Sequence, residues 1–116
     1  MDDKSRIKRT FDDYLAAFRA GDAEACASFY AEDGEYIACG MAPLRGRKAI
    51  AGLHREIIGA GFTLDTLQTD ELIVDGDLAY ARQRLEGSGG KANAMLVLRR
   101  APDGAWLVHA EAEIVG

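Results

Sequence analysis

The chain has 116 residues, of which 48% are hydrophobic and 28% charged, and its formal net charge is −5. This length allows one hydrophobic core but not two, and the composition excludes a disordered chain. The acidic balance argues against a nucleic-acid-binding protein, and no apolar run approaches the roughly 20 residues that span a membrane. We therefore expect one globular domain, residues 1–116, without nucleic acid or membrane as partners.

Three amphipathic helices are predicted in the first half of the chain. Their expected ranges, from apolar residues at helical spacing and from capping signals, are residues 5–20, 22–33 and 47–58. Gly21 ends the first helix and Asp22 caps the second. Between the second and third helices we expect a short strand over residues 35–39 and a loop over residues 40–46.

The second half of the chain changes to the two-residue period of β-strands. The predicted strands cover residues 62–74, 78–86, 92–100 and 106–114, separated by turns rich in Gly and Asp. In the last strand, apolar residues from Trp106 to Ile114 alternate with a largely polar set that ends in Glu111 and Glu113. Because successive side chains of a strand point to opposite faces, both glutamates are expected on the outer face and Trp106 in the core.

The two cysteines, Cys26 and Cys39, belong to neither a C-x-x-C motif nor a Cys/His cluster. The sequence therefore predicts no zinc site and no disulfide framework. Reduced thiols and an N-terminus without a signal-peptide pattern favour a cytoplasmic protein. We expect Cys26 in the core, and Cys39 has no neighbouring cation in sequence that would activate it as a nucleophile.

Five segments occur in the order and spacing of one known superfamily. They are Tyr14–Asp22, Phe29–Asp33, Gly46–Ile50, Asp75–Ala79 and Asp103–Trp106. With these segments the chain resembles the SnoaL-like and ketosteroid-isomerase-like proteins of the nuclear transport factor 2-like superfamily. The resemblance implies a cone-shaped, cystatin-like α+β fold in which three N-terminal helices pack on a curved antiparallel sheet around one pocket. Helices followed by strands indicate the same fold class.

The resemblance implies two catalytic candidates, Tyr14 and His54. Tyr14 matches the tyrosine of ketosteroid isomerases, and His54 takes the position of a second tyrosine that supports the first. The two side chains are therefore expected within hydrogen-bond reach, with the imidazole as acid or base and the hydroxyl as donor to an oxyanion. The alternative is a histidine that only satisfies a buried hydroxyl.

Both carboxyl groups of the ketosteroid isomerases are missing from the corresponding positions. The base would fall at Ala38 or Cys39 and the protonated aspartate near Leu96. Because proton abstraction beside a carbonyl needs a base within reach, steroid isomerase activity itself is not expected.

Six residues are projected to bind a ligand in the pocket. They are Tyr36, Ala38, Tyr80, Arg82, Leu96 and Ala110. For Tyr80 and Arg82 the hydrophobic pattern leaves open which face of the strand over residues 78–86 points inward, and the alternative is an arginine in solvent or at an interface.

Two functions remain open from the sequence. The first is an enzyme, a cofactor-independent isomerase, cyclase or dehydratase that acts by proton transfer on a small, mostly apolar carbonyl or enol metabolite. The second is a non-catalytic ligand-binding or scaffold protein of the same fold, which the missing carboxyl groups favour. A hydrolase would need an inward carboxylate, and none is predicted. We expect no cofactor and no metal, and a homodimer joined through the outer faces of the last strands.

Overall fold

The computed structural model describes residues 2–115. Its elements follow in the order α1 (Asp3–Arg19), α2 (Ala23–Ser28), β1 (Tyr30–Ala38), β2 (Leu44–Arg45), α3 (Arg47–Gly59), β3 (Leu64–Asp75), β4 (Leu78–Gly87), β5 (Gly90–Arg100) and β6 (Trp106–Val115). Within residues 2–115, every helix is too short or too polar to cross a membrane.

Helix α2 begins at the predicted capping residue Asp22 but ends earlier than predicted, and α1 begins two residues before the predicted start at Ser5. Asp2 and Asp22 each accept a backbone N–H with the side chain, as N-caps do. The Val108 N–H donates to the Phe29 carbonyl at 2.9 Å, which draws the chain into the sheet at this point. Strand β1 therefore begins at Tyr30, where the helical pattern had predicted about one further helical turn, up to residue 33.

Six strands form one sheet in the order β2-β1-β6-β5-β4-β3. Strands β3 to β6 form the predicted antiparallel meander, whereas β1 pairs with β6 in parallel. The helices pack on one face of the sheet, called the inner face below, around a core that includes Ile7, Ile50 and Leu98. All three of these side chains are 0% exposed.

Strand β6 contains one extra residue, His109. On β5, Leu98 pairs with Val108 and Val97 pairs with Ala110, so His109 lies between two pairs without a partner on β5. This arrangement is a β-bulge, and it shifts the alternation of the strand by one residue.

The bulge overturns the predicted orientation of the end of β6. Before it, Trp106 and Val108 point inward and are 3% and 4% exposed. After it, Glu111 and Glu113 point inward, and Ala110 points outward. The prediction that both glutamates lie on the outer face is wrong, because strict alternation does not hold across a bulge.

Candidate functional site

Two cavities lie between the helices and the inner face of the sheet. The larger is a cleft of about 300 Å³ that opens to solvent, and the smaller is an inner void of about 20 Å³. The cleft is lined largely by apolar side chains from α1, α3 and the strand ends, and by polar residues that include Tyr36, His54, Glu86, Lys91 and Glu113. Tyr14 and Leu85 line both cavities and therefore lie between them.

Tyr14 and His54 meet at the wall of the cleft. The Tyr14 hydroxyl lies 2.7 Å from His54 Nε2. His54 is 1% exposed, and the rings of Phe18 and Tyr30 pack against it at centroid distances of 6.2 and 6.0 Å. The predicted proximity of the pair is confirmed, and its catalytic role stays a prediction.

The hydrogen bonds of His54 determine the direction of proton donation. His54 Nδ1 lies 2.8 Å from the carbonyl oxygen of Ile50, and a carbonyl can only accept, so Nδ1 carries the proton. Nε2 then accepts the hydroxyl proton of Tyr14. Burial lowers the pKa of His54, so the imidazole is neutral at pH 7, and burial also raises the pKa of Tyr14. The single proton of Tyr14 is thus directed at His54, not at the cleft.

Glu111 is a buried carboxyl group beside the inner void. It is 6% exposed and accepts a 2.6 Å hydrogen bond from the Tyr30 hydroxyl. Burial is the main cause that raises the pKa of Glu111 to about 8; the Tyr30 bond opposes the shift and the nearby Glu113 adds to it. Burial therefore favours the neutral form of Glu111.

Glu113 presents its carboxyl group to the cleft from the end of the last strand. It lines the cleft and accepts a 2.6 Å hydrogen bond from the Tyr36 hydroxyl. Burial is the main cause that raises the pKa of Tyr36, and the nearby carboxyl groups of Glu111 and Glu113 add to the shift, so the hydroxyl remains a donor. A ligand in the cleft would therefore contact a Glu113 carboxyl group that already accepts a hydrogen bond from Tyr36.

The strand register places each glutamate beside a position where the resemblance to steroid isomerases would put a carboxyl group. Glu113 pairs with Ala38 across β1 and β6, and Glu111 pairs with Leu96 across β5 and β6. The cavity therefore has two carboxyl groups after all, each supplied by the neighbouring strand.

Three of the six predicted ligand-binding residues face the cavities. Tyr36 and Ala38 line the cleft, and Leu96 lines the inner void. Their inward orientation agrees with the prediction, whereas binding of a ligand by them remains untested.

The other three predicted ligand-binding residues, Tyr80, Arg82 and Ala110, lie on the outer face of the sheet. The buried residues of β4 are Ala79, Ala81 and Gln83. Because side chains alternate, Tyr80 and Arg82 point away from the cavities, and Arg82 lies 3.7 Å from the Asp70 carboxylate. Ala110 points outward because of the bulge at His109. The prediction that these three residues point into the pocket is therefore wrong.

The sequence carries little signal for the inward position of Glu111 and Glu113. The bulged residue is a histidine, not the glycine that often marks a bulge. Ala110, Ala112 and Ile114 are apolar and would suit a buried face as well as the glutamates' neighbours do. They lie on the outer face, which also carries exposed apolar side chains, so hydrophobicity does not tell the two faces of β6 apart.

Cys26 takes the position in the core that was expected for it. Cys26 is buried in the core, where burial raises its pKa to about 11, and Cys39 is exposed at the edge of the cleft. Among residues 2–115, no three His, Cys, Asp or Glu side chains are grouped so that they could hold a metal ion.

Comparison with known proteins agrees with this architecture. A model of the SnoaL-like domain matches residues 11–109. An NTF2-like protein with a cystatin-like fold from Novosphingobium aromaticivorans is 29% identical to this chain, with a TM-score of 0.80 over 97% of this chain and 81% of that one. A ketosteroid isomerase-like protein from Erwinia carotovora atroseptica is 20% identical, with a TM-score of 0.83 over 98% of this chain and 97% of that one.

A third solved structure, a putative calcium/calmodulin-dependent protein kinase type II association domain from Thiobacillus denitrificans, is 21% identical with a TM-score of 0.80 over 94% of each chain. No protein of curated function matches this chain in sequence. The predicted superfamily and the cystatin-like α+β fold are confirmed, and the match over residues 11–109 shows that the chain belongs to the SnoaL-like domain family.

Proposed function

We propose that the cleft is a cofactor-independent site that moves a proton on a small, mostly apolar carbonyl or enol compound, as an isomerase, cyclase or dehydratase does. The observation that carries this proposal is the pair of inward carboxyl groups, with Glu113 at the cleft and Glu111 buried behind it. In this proposal Glu113 is the general base.

The different placement of the two carboxyl groups supports this assignment. Burial raises the pKa of Glu111 and so favours its neutral form, which does not suit a base. A general base must lie within reach of the proton that it removes, and Glu113 lines the cleft in which a substrate would lie.

The lining of the cleft favours a small apolar substrate with few polar atoms. Its volume of about 300 Å³ is at the lower end of ligand sites, and Phe18, Leu53 and Ile57 contribute to its wall. Apolar walls also strengthen the electrostatic interaction between a base and a polarised carbonyl compound, because they exclude water.

We assign Tyr14 and His54 a positioning role in this reaction. Since Tyr14 donates to His54, donation to a ligand oxygen would leave the buried His54 Nε2 without its hydrogen bond. Tyr14→Phe should therefore lower the free energy of unfolding by about 1–3 kcal/mol and slow catalysis less than the loss of Glu113 does. A roughly 100- to 1000-fold loss of turnover at unchanged stability would instead assign direct donation by Tyr14.

Deuterium incorporation tests the proposal. A panel of small cyclic β,γ-unsaturated ketones, together with any ligand that co-purifies, is incubated with the protein in D₂O, and exchange beside the carbonyl is followed by NMR. The native protein should accelerate exchange for at least one member. Glu113→Gln should reduce the acceleration by about 100- to 10,000-fold, the usual contribution of a general base.

Glu86→Gln is the matched control, because Glu86 also lines the cleft but is exposed at its edge. It should leave the exchange rate unchanged. Equal exchange in the native protein and in Glu113→Gln would rule out Glu113 as the base.

The second candidate is a non-catalytic ligand-binding protein. It is favoured by the internal hydrogen bonds of the cavity, in which Tyr14, Tyr30 and Tyr36 all donate their protons to protein groups. Under this alternative, no panel member would exchange faster than in buffer, and the co-purifying ligand would bind the native protein and Glu113→Gln equally well.

A further inference from the structure

The inner void contains a buried amide whose N–H groups are unpaired. Gln83 lies on β4, is 2% exposed and lines the void. Its Nε2 is fully enclosed and has no hydrogen-bond partner among residues 2–115. A buried donor without an acceptor is unfavourable, and in native proteins such groups usually bind ordered water.

The void has the size and lining of a site for one water molecule. Its volume of about 20 Å³ exceeds the roughly 10–15 Å³ that a single water requires. A buried water also needs two to four polar partners. Besides Gln83, the lining contains the Glu111 carboxyl group and the hydroxyl-bearing residues Thr10, Tyr14 and Tyr30.

We propose that the inner void is a specific site for one water molecule, which accepts a hydrogen bond from Gln83 Nε2 and donates one to the Glu111 carboxyl group. Gln83 is then a positioning residue that acts on Glu111 through this water. The proposal goes beyond the proposed function, because it concerns the void behind the cleft and holds whether or not the cleft is catalytic.

The groups that face Glu111 give the water a defined electrostatic effect. The titratable groups around it are Tyr14 from α1, Tyr30 and Tyr36 from β1, and Glu113 from β6. His54 from α3 packs against Tyr30 at a centroid distance of 6.0 Å. None of the lining residues of the void is Lys or Arg. A hydrogen bond from water to an ionised carboxylate is stronger than one to a neutral acid, so the water favours ionisation of Glu111.

Two NMR measurements on the complete chain test this proposal. The first detects magnetisation transfer between a long-lived water and the side-chain amide protons of ¹⁵N-labelled Gln83. The second follows the titration of ¹³C-labelled Glu carboxyl groups, with the Glu111 signal assigned from its loss in Glu111→Gln. We expect the water contact in the native protein, and in Gln83→Leu an upward shift of the Glu111 midpoint by about one pH unit.

Gln68→Leu is the control, because Gln68 is an exposed residue of β3 and should leave the Glu111 midpoint unchanged. If Gln83→Leu does not fold, Gln83→Met, which keeps the length of the side chain, takes its place. The proposal is overturned if no long-lived water contacts Gln83. It is equally overturned if the Glu111 midpoint stays constant or falls when the amide is removed.

Discussion

The two halves of β6 place different chemistry inside the domain. Before His109, Trp106 and Val108 fill the core; beyond it, Glu111 and Glu113 accept hydrogen bonds from tyrosines. The first half stabilises the fold by burying apolar area. The second half brings carboxyl groups into the interior, which costs free energy because these groups lose their hydration. A single extra residue thus separates a stabilising segment from a candidate functional segment on one strand.

Deleting His109 together with Ala110 is the most direct way to break this difference. Glu111 would then follow the inward Val108 directly, so regular alternation would turn Glu111 and Glu113 outward and leave the buried hydroxyls of Tyr30 and Tyr36 without acceptors. We expect the free energy of unfolding, measured with urea, to fall by about 2–6 kcal/mol, from about 1–3 kcal/mol for each lost bond.

Deletion of His109 alone is the control, since Ala110 then follows Val108 and regular alternation keeps both glutamates inward. It removes the bulge without removing either hydrogen bond, so it should lower the free energy of unfolding less than the double deletion does. A double-deletion variant as stable as this control would show that the orientation of the glutamates does not depend on the number of residues before them.

Truncating the core side of the strand should also have a large effect. Trp106 is 3% exposed, its indole Nε1 donates to Asp3 at 3.3 Å, and the Arg100 guanidinium lies 5.4 Å from the ring centroid. Trp106→Ala should lower the free energy of unfolding by about 3–5 kcal/mol. Leu107→Ala, at the partly exposed neighbouring position, should have a smaller effect. An unchanged unfolding midpoint for Trp106→Ala would contradict a structural role.

The functional half of the strand should make stability depend on pH. The pKa of Glu111 is raised in the folded state, so Glu111 stabilises the fold most when the pH lies below its unfolded-state pKa of 4.5. This stability is lost as the pH rises toward the folded-state pKa of about 8. Relative to Glu111→Gln, the native protein should lose on the order of a few kcal/mol of unfolding free energy between pH 4.5 and 8.

The comparison with Glu111→Gln cancels the contribution of His54. The lowered pKa of His54 acts in the opposite direction, since stability is lost as the pH falls below its ordinary value of 6.5. Parallel stability curves for the native protein and Glu111→Gln across this range would contradict the assignment of Glu111 as a buried acid.

The outer face of the sheet differs from the inner face in that it carries exposed apolar side chains. Of these changes, a substitution on this face should have the smallest effect on the stability of a single chain. With both glutamates turned inward, this face presents exposed Met95, Val97 and Ile114. We propose that a second copy of the chain covers it, as an apolar centre within a polar rim would allow. Light scattering at micromolar concentration should give the dimer mass, and Val97→Asp should give a folded monomer. A monomer mass for the native protein would contradict this proposal.

Local patterns in the sequence were sufficient to predict most of the fold. The helical spacing of α1 and α3, the aspartate caps and the glycine turns act within a few residues, so they are legible in one sequence. The parallel pairing of β1 with β6 was not predictable in this way, because it depends on contacts between residues about eighty positions apart.

Only one contact of the candidate site was predicted, and it joins two helices whose relative placement the resemblance to a known family implied. Tyr14 and His54 lie on faces that helical periodicity defines, and their contact followed from the resemblance. Glu111, Glu113 and Gln83 belong to the site through strand register and burial, which one-dimensional alternation does not determine when both faces of a sheet are apolar.

The bulge also bears on how such a site tolerates changes in the length of the chain. Because a bulge holds one residue without a partner on the neighbouring strand, β6 can gain or lose that residue while Glu111 and Glu113 keep their places beside Leu96 and Ala38. A change in length that no bulge absorbs would turn both carboxyl groups to the other face of the sheet. Gaps in the last strand of related chains should therefore be judged by whether a bulge absorbs them.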